Sequence, residues 1–243
     1  MSIFNISAII PARSGSKSIP HKNIRVFNNK PLIAHSICQA KKLEEMGLVN
    51  EIIVSTDSVE YKKVAEEWGA RVPFLRPAEI SGDESTDYEF LKHFVDWKTD
   101  NEPNIIPDII IQLRPTYPNR SIEKMADMIS IFIKEFDEYD SLRTVVPVDK
   151  TPFKMYFMEN NDLKPLFYTA PNGIKEPYNV GRQMLPPTYL HNGYVDILKT
   201  DTLLKKKSIS GERIRAYLMD SNETDDIDYE EDWVSAEKKL KRN

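Results

Sequence analysis

A chain of 243 residues is long enough for one large domain, with or without an insertion, that buries an ordinary hydrophobic core. Its formal net charge of −5 argues against a nucleic-acid partner, since such binders usually present a basic face, and its single cysteine, Cys38, excludes an internal disulfide and a cysteine-based metal site. The sequence has no apolar run of the roughly 18 residues needed to cross a membrane and no signal-peptide pattern at its start, so we expect a cytoplasmic protein without a membrane partner.

Strands and amphipathic helices alternate through the first 147 residues, beginning with an apolar strand at 6–10. Cys38 falls on the apolar side of the first helix, where we expect it to be buried. The predicted helices are 31–46, 58–68, 84–98 and 121–136, and the further strands are 51–54, about 71–74, 108–113 and 142–148. Four strand–helix repeats predict an α/β fold with a mostly parallel sheet, right-handed crossovers and helices on both faces. In such sheets, ligands bind at the carboxyl ends of the strands.

The pattern changes at residue 147, where the chain becomes rich in Pro, Tyr, Asn and Met. This composition predicts an insertion that leaves the main sheet, with a strand at 154–158. The chain is expected to return to the sheet at 194–198, followed by a strand at 213–219 and a last helix at 229–242. We therefore divide the sequence into an α/β part at 1–146, an insertion at 147–192 and a returning segment at 193–243.

The loop after the first strand is the most informative segment of the chain. It combines three cations with hydroxyl, amide and glycine residues, namely Arg13, Ser14, Gly15, Ser16, Lys17, Lys22 and Asn23. Backbone N–H groups and hydroxyls can bind phosphate oxygens while the cations offset their charge, so this composition predicts a triphosphate-binding loop. Its spacing matches neither the P-loop nor the Gly-x-Gly-x-x-Gly pattern.

Two carboxylates, Asp226 and Asp228, stand two residues apart just before the last helix. In an extended segment they point the same way and can face one cation, and Mg²⁺ typically takes one or two carboxylates together with substrate phosphates. The alternative is that Asp228 caps the helix, with Glu230 and Glu231 favouring its amino end. Considered alone, capping is favoured, whereas a phosphate loop in the same chain shifts the balance to a metal site.

Several polar residues lie in loops that contain prolines or glycines. Arg114 and Arg120 flank the loop after the strand at 108–113, where they either face an anionic ligand or lie on a rigid surface turn. Arg76 follows the third predicted strand and is in reach of a base or a phosphate. The segments 182–187 and 191–193 combine polar side chains with Pro and Gly, as suits sugar recognition, although such loops are also common without a ligand.

These motifs together resemble those of the acylneuraminate cytidylyltransferases, the CMP-sialic acid synthetases and relatives that act on other nonulosonic acids. The resemblance covers the whole chain in order. The matching motifs are Ile-Pro-Ala-Arg-x-Gly-Ser-Lys, Lys-Asn-Ile, Lys-Pro-Leu-Ile, Arg-Pro-x-Glu, Arg-Pro-Thr-x-Pro-x-Arg, Arg-Gln-x-Leu-Pro, Asn-Gly and Asp-Ile-Asp.

The resemblance implies a nucleotide-diphospho-sugar transferase-like fold with a dimerisation insertion at 147–192, and hence a homodimer. It implies that the 2-hydroxyl of a keto-sugar acid attacks the α-phosphate of CTP, with Mg²⁺ as cofactor and pyrophosphate as leaving group. By this resemblance, nucleotide binding involves the loop residues 13–17, Lys22, Asn23 and Arg76. The metal ligands are Asp226 and Asp228, and the catalytic residues are Lys22, Arg13 and Asp228. The sugar-binding residues are Arg114, Lys154, Arg182, Gln183, Asn192 and Asp196.

The chain departs from the family pattern at the expected sugar pocket. Arg114 stands where sialate enzymes usually have Gln, and Asp196 stands where they usually have an aromatic residue. Ser14 and Ser18 replace loop glycines. The substituted pair can neutralise one another or meet a different substituent, so the acceptor remains open among sialate, legionaminate-like and pseudaminate-like sugars. A sugar 1-phosphate used with another nucleotide such as GTP is an alternative substrate pair, and a non-catalytic nucleotide-binding regulator is an alternative function.

Overall fold

The computed structural model describes residues 4–221 and 226–240. Its strands are β1 (Ile6–Pro11), β2 (Val26–Phe27), β3 (Lys30–Pro31), β4 (Glu51–Ser55), β5 (Ile109–Gln112), β6 (Ser141–Pro147), β7 (Tyr156–Glu159), β8 (Asp162–Pro165), β9 (Tyr189–Lys199) and β10 (Ile214–Leu218). Its α-helices are α1 (Leu32–Glu45), α2 (Val59–Glu67), α3 (Asp87–Asn101), α4 (Ile122–Lys134), α5 (Thr200–Lys205) and α6 (Glu230–Leu240). None of the helices in this described part of the chain combines the length and apolar character needed to span a bilayer.

A six-stranded sheet with the order β10-β6-β9-β5-β1-β4 forms the centre of the fold. Strand β1 pairs in parallel with β4 and β5, whereas β9 runs antiparallel to β5. The mostly parallel α/β prediction is confirmed, and the antiparallel strand is the feature that the strand–helix repeats did not predict. All four residues of β5 are buried, as expected for a strand covered on both faces.

Helices cover both faces of the sheet. Helices α3 and α5 pack on the face that carries Ile9, Ile53 and Ile110. Helix α1 contacts α4 and packs against β1 and β4. Because successive strand residues point to opposite faces, each of the central strands contributes apolar side chains to both layers. Full burial of such a side chain stabilises the fold by roughly 1.5–3 kcal/mol, so these layers supply the main favourable contribution to folding.

Local capping explains where three of the four long helices begin. Ser58 and Ser121 accept backbone N–H bonds at the amino ends of α2 and α4. Thr86 and Glu89 form a reciprocal capping box at the start of α3. These caps fix the start of three of the four long helices, whereas α1 begins after Pro31 without a side-chain cap.

Several sequence-based expectations were wrong. The segment at 71–74 is no strand, because only Arg71 pairs there, in an isolated bridge with Ile53. Cys38 is half-buried rather than buried. Helix α5 and the short strands β2, β3 and β8 were not predicted, since each is too short to show a periodic pattern.

Contact clustering divides the chain into two compact units. The first unit contains the described residues of Met1–Thr144, Gly193–Tyr217 and Thr224–Asn243, and the second contains Val145–Asn192 with those of Leu218–Glu223. In the second unit, β7 and β8 form an antiparallel hairpin. Its small core is formed by Phe153, Ala170 and Leu185, against which Ile174 and Val180 pack.

Candidate active site

A cavity of about 430 Å³ lies in the first unit at the carboxyl ends of β1 and β5. The loops that follow these strands reach the same edge of the sheet, as expected for parallel neighbours. Basic, acidic and hydroxyl groups line it together. Among the lining residues are Arg13, Ser16, Lys17, Lys22, Asn23, Arg76, Asp83, Asp87, Arg114, Thr116 and Asp228.

The loop after β1 is held by hydrogen bonds to its own side chains and to a neighbouring loop. The backbone N–H and hydroxyl of Ser14 donate to the two carboxylate oxygens of Asp57, at 2.8 and 2.7 Å. The buried Asn23 amide donates to the Arg13 carbonyl at 3.0 Å. Gly15 is exposed, and a Cβ there would meet no atom within 4 Å. Ser14 and Asn23 thus fix the shape of the loop, while Arg13, Ser16 and Lys17 border the cavity.

Two of the loop cations pair with one carboxylate. Arg13 Nη1 lies 2.8 Å from Asp83 Oδ1, and Lys17 Nζ contacts Asp83 Oδ2. Hydrogen bonds from Lys17 and Arg13 lower the pKa of Asp83, so this carboxylate is charged at neutral pH. Nothing in the sequence marked Asp83, because its partners lie about 70 residues away along the chain.

The third loop cation, Lys22, reaches the acidic motif near the carboxyl end of the chain. Its Nζ donates to the Ile227 carbonyl at 2.8 Å and lies 3.4 Å from Asp228 Oδ1. The side chain of Lys22 is only 12% exposed. A shared apolar cluster explains this contact, since Ile19 and Ile227 are both fully buried against Phe27 and Trp233. The loop after β1 and the acidic motif therefore meet through core packing as well as charge.

The carboxylates Asp226 and Asp228 flank the buried Ile227. Residue Asp226 as a whole is exposed. Desolvation of its carboxyl nevertheless raises its pKa, and the nearby charge of Asp228 raises it further, whereas hydrogen bonds from Thr116 and Tyr117 oppose the shift. Two carboxylates that disfavour each other's charge fit a divalent cation, which would relieve their repulsion. Within the described residues, no group of three or more His, Cys, Asp or Glu side chains is placed to hold a metal. The pair therefore suits Mg²⁺, whose remaining ligands are commonly phosphate oxygens and water.

Asp228 does not cap the last helix. The Asp232 carboxylate accepts from the backbone N–H groups of Asp228 and Tyr229, at 3.1 and 2.7 Å. Asp232 thus satisfies these donors at the start of α6, and the Asp228 carboxylate faces Lys22 instead.

Arg76 is a buried cation at the wall of the cavity, with 6% of the residue exposed. Its Nε donates to the Ser55 hydroxyl at 3.0 Å and its Nη2 to the Ser55 carbonyl at 2.7 Å. The guanidinium also lies 4.9 Å from the centre of the Phe90 ring. Burial lowers the pKa of Arg76 to about 10, and the charges of Asp57 and Asp87 only partly offset this. A desolvated cation bonded to neutral groups is a strong site for an anionic ligand.

Arg114 and Asp196, the two departures from the family pattern, pair with each other. Arg114 Nη1 lies 2.6 Å from Asp196 Oδ2, and its Nη2 lies 2.5 Å from Asp87 Oδ2. The antiparallel register of β5 and β9 sets Asp196 opposite Gln112, and Gln112 also donates to Asp87 at 3.0 Å. Burial opposes the charge on Arg114, but the Asp196 and Asp87 carboxylates raise its pKa overall. Asp87 was missed as a site residue, although an acid within the apolar stripe of the third predicted helix is a signal that could have found it.

Both expectations for Arg120 were wrong, since its guanidinium is bonded to backbone carbonyls rather than open to a ligand and the residue is buried rather than on the surface. It is 5% exposed, and its guanidinium donates to the carbonyls of Tyr194, Tyr117 and Arg114, at 2.5, 2.8 and 2.6 Å. Burial lowers the pKa of Arg120 to about 9. It therefore fixes the loop that carries Arg114.

The other predicted sugar-binding residues lie in the second unit. Arg182 and Gln183 border a cavity of about 460 Å³, and Arg182 Nη2 lies 3.3 Å from Asp149 Oδ1. Lys154 is exposed at the end of the short 3-10 helix Pro152–Lys154. Asn192 donates to the Met219 sulfur at 3.6 Å. Within this unit, the structure thus brings Arg182 and Gln183 to one cavity and places Lys154 and Asn192 elsewhere.

Comparisons with known proteins give consistent matches. The family model described as "Cytidylyltransferase" matches residues 7–239. An N-acylneuraminate cytidylyltransferase of Streptococcus agalactiae serotype V is 31% identical over 93% of this chain and 51% of its own length. The chain thus spans about half the length of this and similar N-acylneuraminate cytidylyltransferases of Streptococcus agalactiae. A CMP-N,N'-diacetyllegionaminic acid synthase of Legionella pneumophila is 32% identical over 98% of this chain and 97% of its own length.

Two solved structures share the fold. The structure of CMP:2-keto-3-deoxy-manno-octonic acid synthetase complexed with CTP has a TM-score of 0.68 at 16% identity, and covers 98% of this chain and 99% of its own. A cytidylyltransferase from Leptospira borgpetersenii has a TM-score of 0.61 at 17% identity, and covers 99% of this chain and 88% of its own. At these identities, the likeness concerns the fold alone.

Proposed function

The chain belongs to the cytidylyltransferase family, and on that premise we propose that it transfers CMP from CTP to the 2-hydroxyl of a nonulosonic acid. The observation that carries this proposal is the single cavity in which Arg13, Lys17, Lys22 and Arg76 meet Asp228. Three cations from one loop and a fourth from a separate segment suit a triphosphate, and the adjacent carboxylate suits the metal that accompanies it. The names of the curated relatives support a nonulosonic acid as acceptor.

In the proposed reaction, the hydroxyl oxygen of the sugar forms a bond to the α-phosphorus of CTP. The bond between the α-phosphorus and its bridging oxygen breaks, and pyrophosphate leaves with the electron pair. Arg13, Lys17 and Lys22 bind the triphosphate oxygens and stabilise the negative charge that grows on the leaving group. Asp228 takes up or orients the proton lost by the hydroxyl. Arg76, fixed by Ser55, positions the nucleotide.

We propose that Asp226 and Asp228 hold the divalent cation, and that it is Mg²⁺. When bound, such a cation neutralises phosphate charge and supports loss of pyrophosphate. The contact between Lys22 and the Asp228 carboxylate keeps the loop cation beside the acidic motif. The hydroxyls of Thr116 and Tyr117 orient Asp226.

The proposed acceptor residues are polar side chains that the resemblance assigns to sugar binding. We propose that Arg182, Gln183, Lys154 and Asn192 contribute to recognition of the sugar, with Arg182 pairing with its carboxylate. Arg114 gave a reason to consider a sugar 1-phosphate instead, because an added cation suits a phosphate. Its pairing with both Asp87 and Asp196 removes that reason, since the guanidinium charge is already compensated.

We also propose that the protein is a homodimer formed through the insertion and that it acts in the cytoplasm. The hairpin of the second unit exposes large apolar side chains, including Phe157 at 59% and Met158 at 73% exposure. Exposed apolar patches of this kind mark interaction surfaces. A second copy of the chain is the partner that the resemblance implies.

The experiment that tests the function is a measurement of pyrophosphate release with Mg²⁺. CTP, GTP, UTP and ATP are combined in turn with nonulosonic acids and with sugar 1-phosphates. We expect turnover with CTP and at least one nonulosonic acid. Turnover with sugar 1-phosphates alone would contradict the proposed acceptor, and CTP binding without release in any combination would favour a regulator.

A further inference from the structure

Asp83 lies in the exposed turn between the 3-10 helix Ala78–Ile80 and α3, on the rim of the candidate active site. Its two carboxylate oxygens contact two different cations, Arg13 at 2.8 Å and Lys17. Lys17 is 81% exposed and bonds no other carboxylate in the described part of the chain. A carboxylate therefore occupies the position at which these cations would meet phosphate oxygens.

A bound triphosphate and Asp83 compete for the same donors. Lys17 has three N–H donors and Arg13 has five, but both side chains have to turn towards one centre to hold a phosphate. The Asp83 carboxylate left beside that phosphate would be a like charge next to it, which is unfavourable. Binding of the triphosphate therefore requires Asp83 to move away.

We propose that Asp83 is a specificity-determining residue that occupies the β,γ-phosphate subsite in the free enzyme, so that CTP displaces it and CMP does not. This inference rests on the proposed function, because it assumes that Arg13 and Lys17 receive the leaving-group phosphates. A triphosphate brings several negative charges to the two cations and gains more than the single carboxylate loses. CMP has only the α-phosphate, which lies outside this subsite.

The consequence for affinity follows from the cost of displacement. The apparent dissociation constant of a ligand rises by the inverse of the fraction of protein that is competent to bind it. Asp83 lowers that fraction for ligands that need the subsite and leaves it unchanged for ligands that do not. Removal of the Asp83 charge should therefore tighten the binding of triphosphates selectively.

The test compares Asp83→Asn with the matched control Glu84→Gln. Glu84 is the next residue of the same exposed turn and loses the same charge, but among the described residues it forms no ion pair with the loop cations. Binding of CTP, CMP and inorganic tripolyphosphate is measured by calorimetry with Mg²⁺ and without an acceptor. We expect Asp83→Asn to bind CTP and tripolyphosphate about fivefold more tightly than the wild type, as befits the loss of two exposed ion pairs, with CMP affinity unchanged.

The possible results separate this inference from the proposed function. Equal affinities in Asp83→Asn and Glu84→Gln would overturn the role of Asp83, and so would weaker CTP binding in Asp83→Asn, because the residue would then contribute to binding. Wild-type protein that binds tripolyphosphate but not CTP would contradict the proposed function, while the comparison of variants with tripolyphosphate would still decide the role of Asp83. Binding of neither ligand by any form of the protein would overturn both.

Discussion

The ion cluster around Arg114 gives the most quantitative prediction. Asp196 lies between two cations, 2.6 Å from Arg114 Nη1 and 3.8 Å from Arg143 Nε. Replacing Asp196 with Asn leaves Arg114 with Asp87 as its carboxylate partner and leaves Arg143 with none among the described residues. Breaking a fully buried pair costs roughly 3–5 kcal/mol, whereas exposed pairs contribute less than about 1 kcal/mol.

The partial exposure of the cluster predicts an energy between those of fully buried and fully exposed ion pairs. The Asp196 side chain is 7% exposed, and the two arginine side chains are each 23% exposed. We therefore expect Asp196→Asn to lower the free energy of unfolding by about 2 kcal/mol, and Arg114→Gln to lower it by a similar amount. In the double variant, the charges of Arg114 and Asp196 are removed together, and only Arg143 and Asp87 each lose one partner. We expect it to cost about 2–3 kcal/mol in total, which corresponds to a coupling energy of about 1–2 kcal/mol.

Urea denaturation of the wild type, both single variants and the double variant measures this coupling. A matched cycle at Lys92 and Asp96, an exposed pair one turn apart on α3, provides the control, for which we expect about 0.3–0.5 kcal/mol. If the coupling of Arg114 with Asp196 is no larger than that of the control pair, the two departures from the family pattern do not compensate each other. Arg114 would then be free to favour a sugar 1-phosphate as the acceptor.

Three further predictions follow from particular contacts. Asp228→Asn should lower turnover by at least about 100-fold because it removes one carboxylate of the proposed metal pair. Its thermal midpoint should stay within a few degrees of that of the control Asp201→Asn. Pyrophosphate release near the wild-type rate would refute the metal assignment. Although partial burial opposes it, the Lys206 ammonium together with two backbone N–H groups lowers the pKa of Asp140 to about 2. Asp140 therefore stabilises the fold above pH 4, and about 2 kcal/mol of the free energy of unfolding is lost as the pH falls towards 2. Asp140→Asn should flatten the acid limb of a curve of stability against pH. An unchanged acid limb would contradict this role of Asp140. Met158→Glu should yield a monomer by light scattering, whereas Val234→Glu, at an apolar position on α6 that is 49% exposed, should not. A wild-type monomer would contradict the proposed dimer.

The parts of the fold that could be predicted are those whose cause is local. Helix α1 spans Leu32–Glu45 against a predicted 31–46, because its apolar residues recur with helical period over four turns. The antiparallel pairing of β9 with β5 could not be predicted in the same way. The direction of this pairing depends on which strands lie side by side, and the sequence of one strand does not determine which strand pairs with it.

In the candidate site, too, the features with a local cause could be predicted and those that depend on distant segments could not. The shared cavity of Arg13, Lys17 and Lys22 was predictable because these cations are close together in the sequence. The roles of Arg120 and Asp83 were not, because the groups that surround them come from distant segments. Arg120 illustrates the point, since the carbonyl of Tyr194 that fixes its Nε lies 74 residues away along the chain.

Charge compensation links these observations into one property of the site. In the described part of the chain, Arg13 and Lys17 meet Asp83, Lys22 meets Asp228, and Arg114 meets Asp87 and Asp196. A cavity lined by uncompensated cations would disfavour the compact state through repulsion, so the carboxylates stabilise the ligand-free protein. Arg76 differs because its hydrogen bonds go to neutral groups of Ser55 and its charge is buried. The proposed nucleotide would therefore meet one cation that is ready to bind and several that first have to exchange a carboxylate for a phosphate, and this exchange lowers the affinity of a triphosphate, which needs those cations, relative to that of a monophosphate.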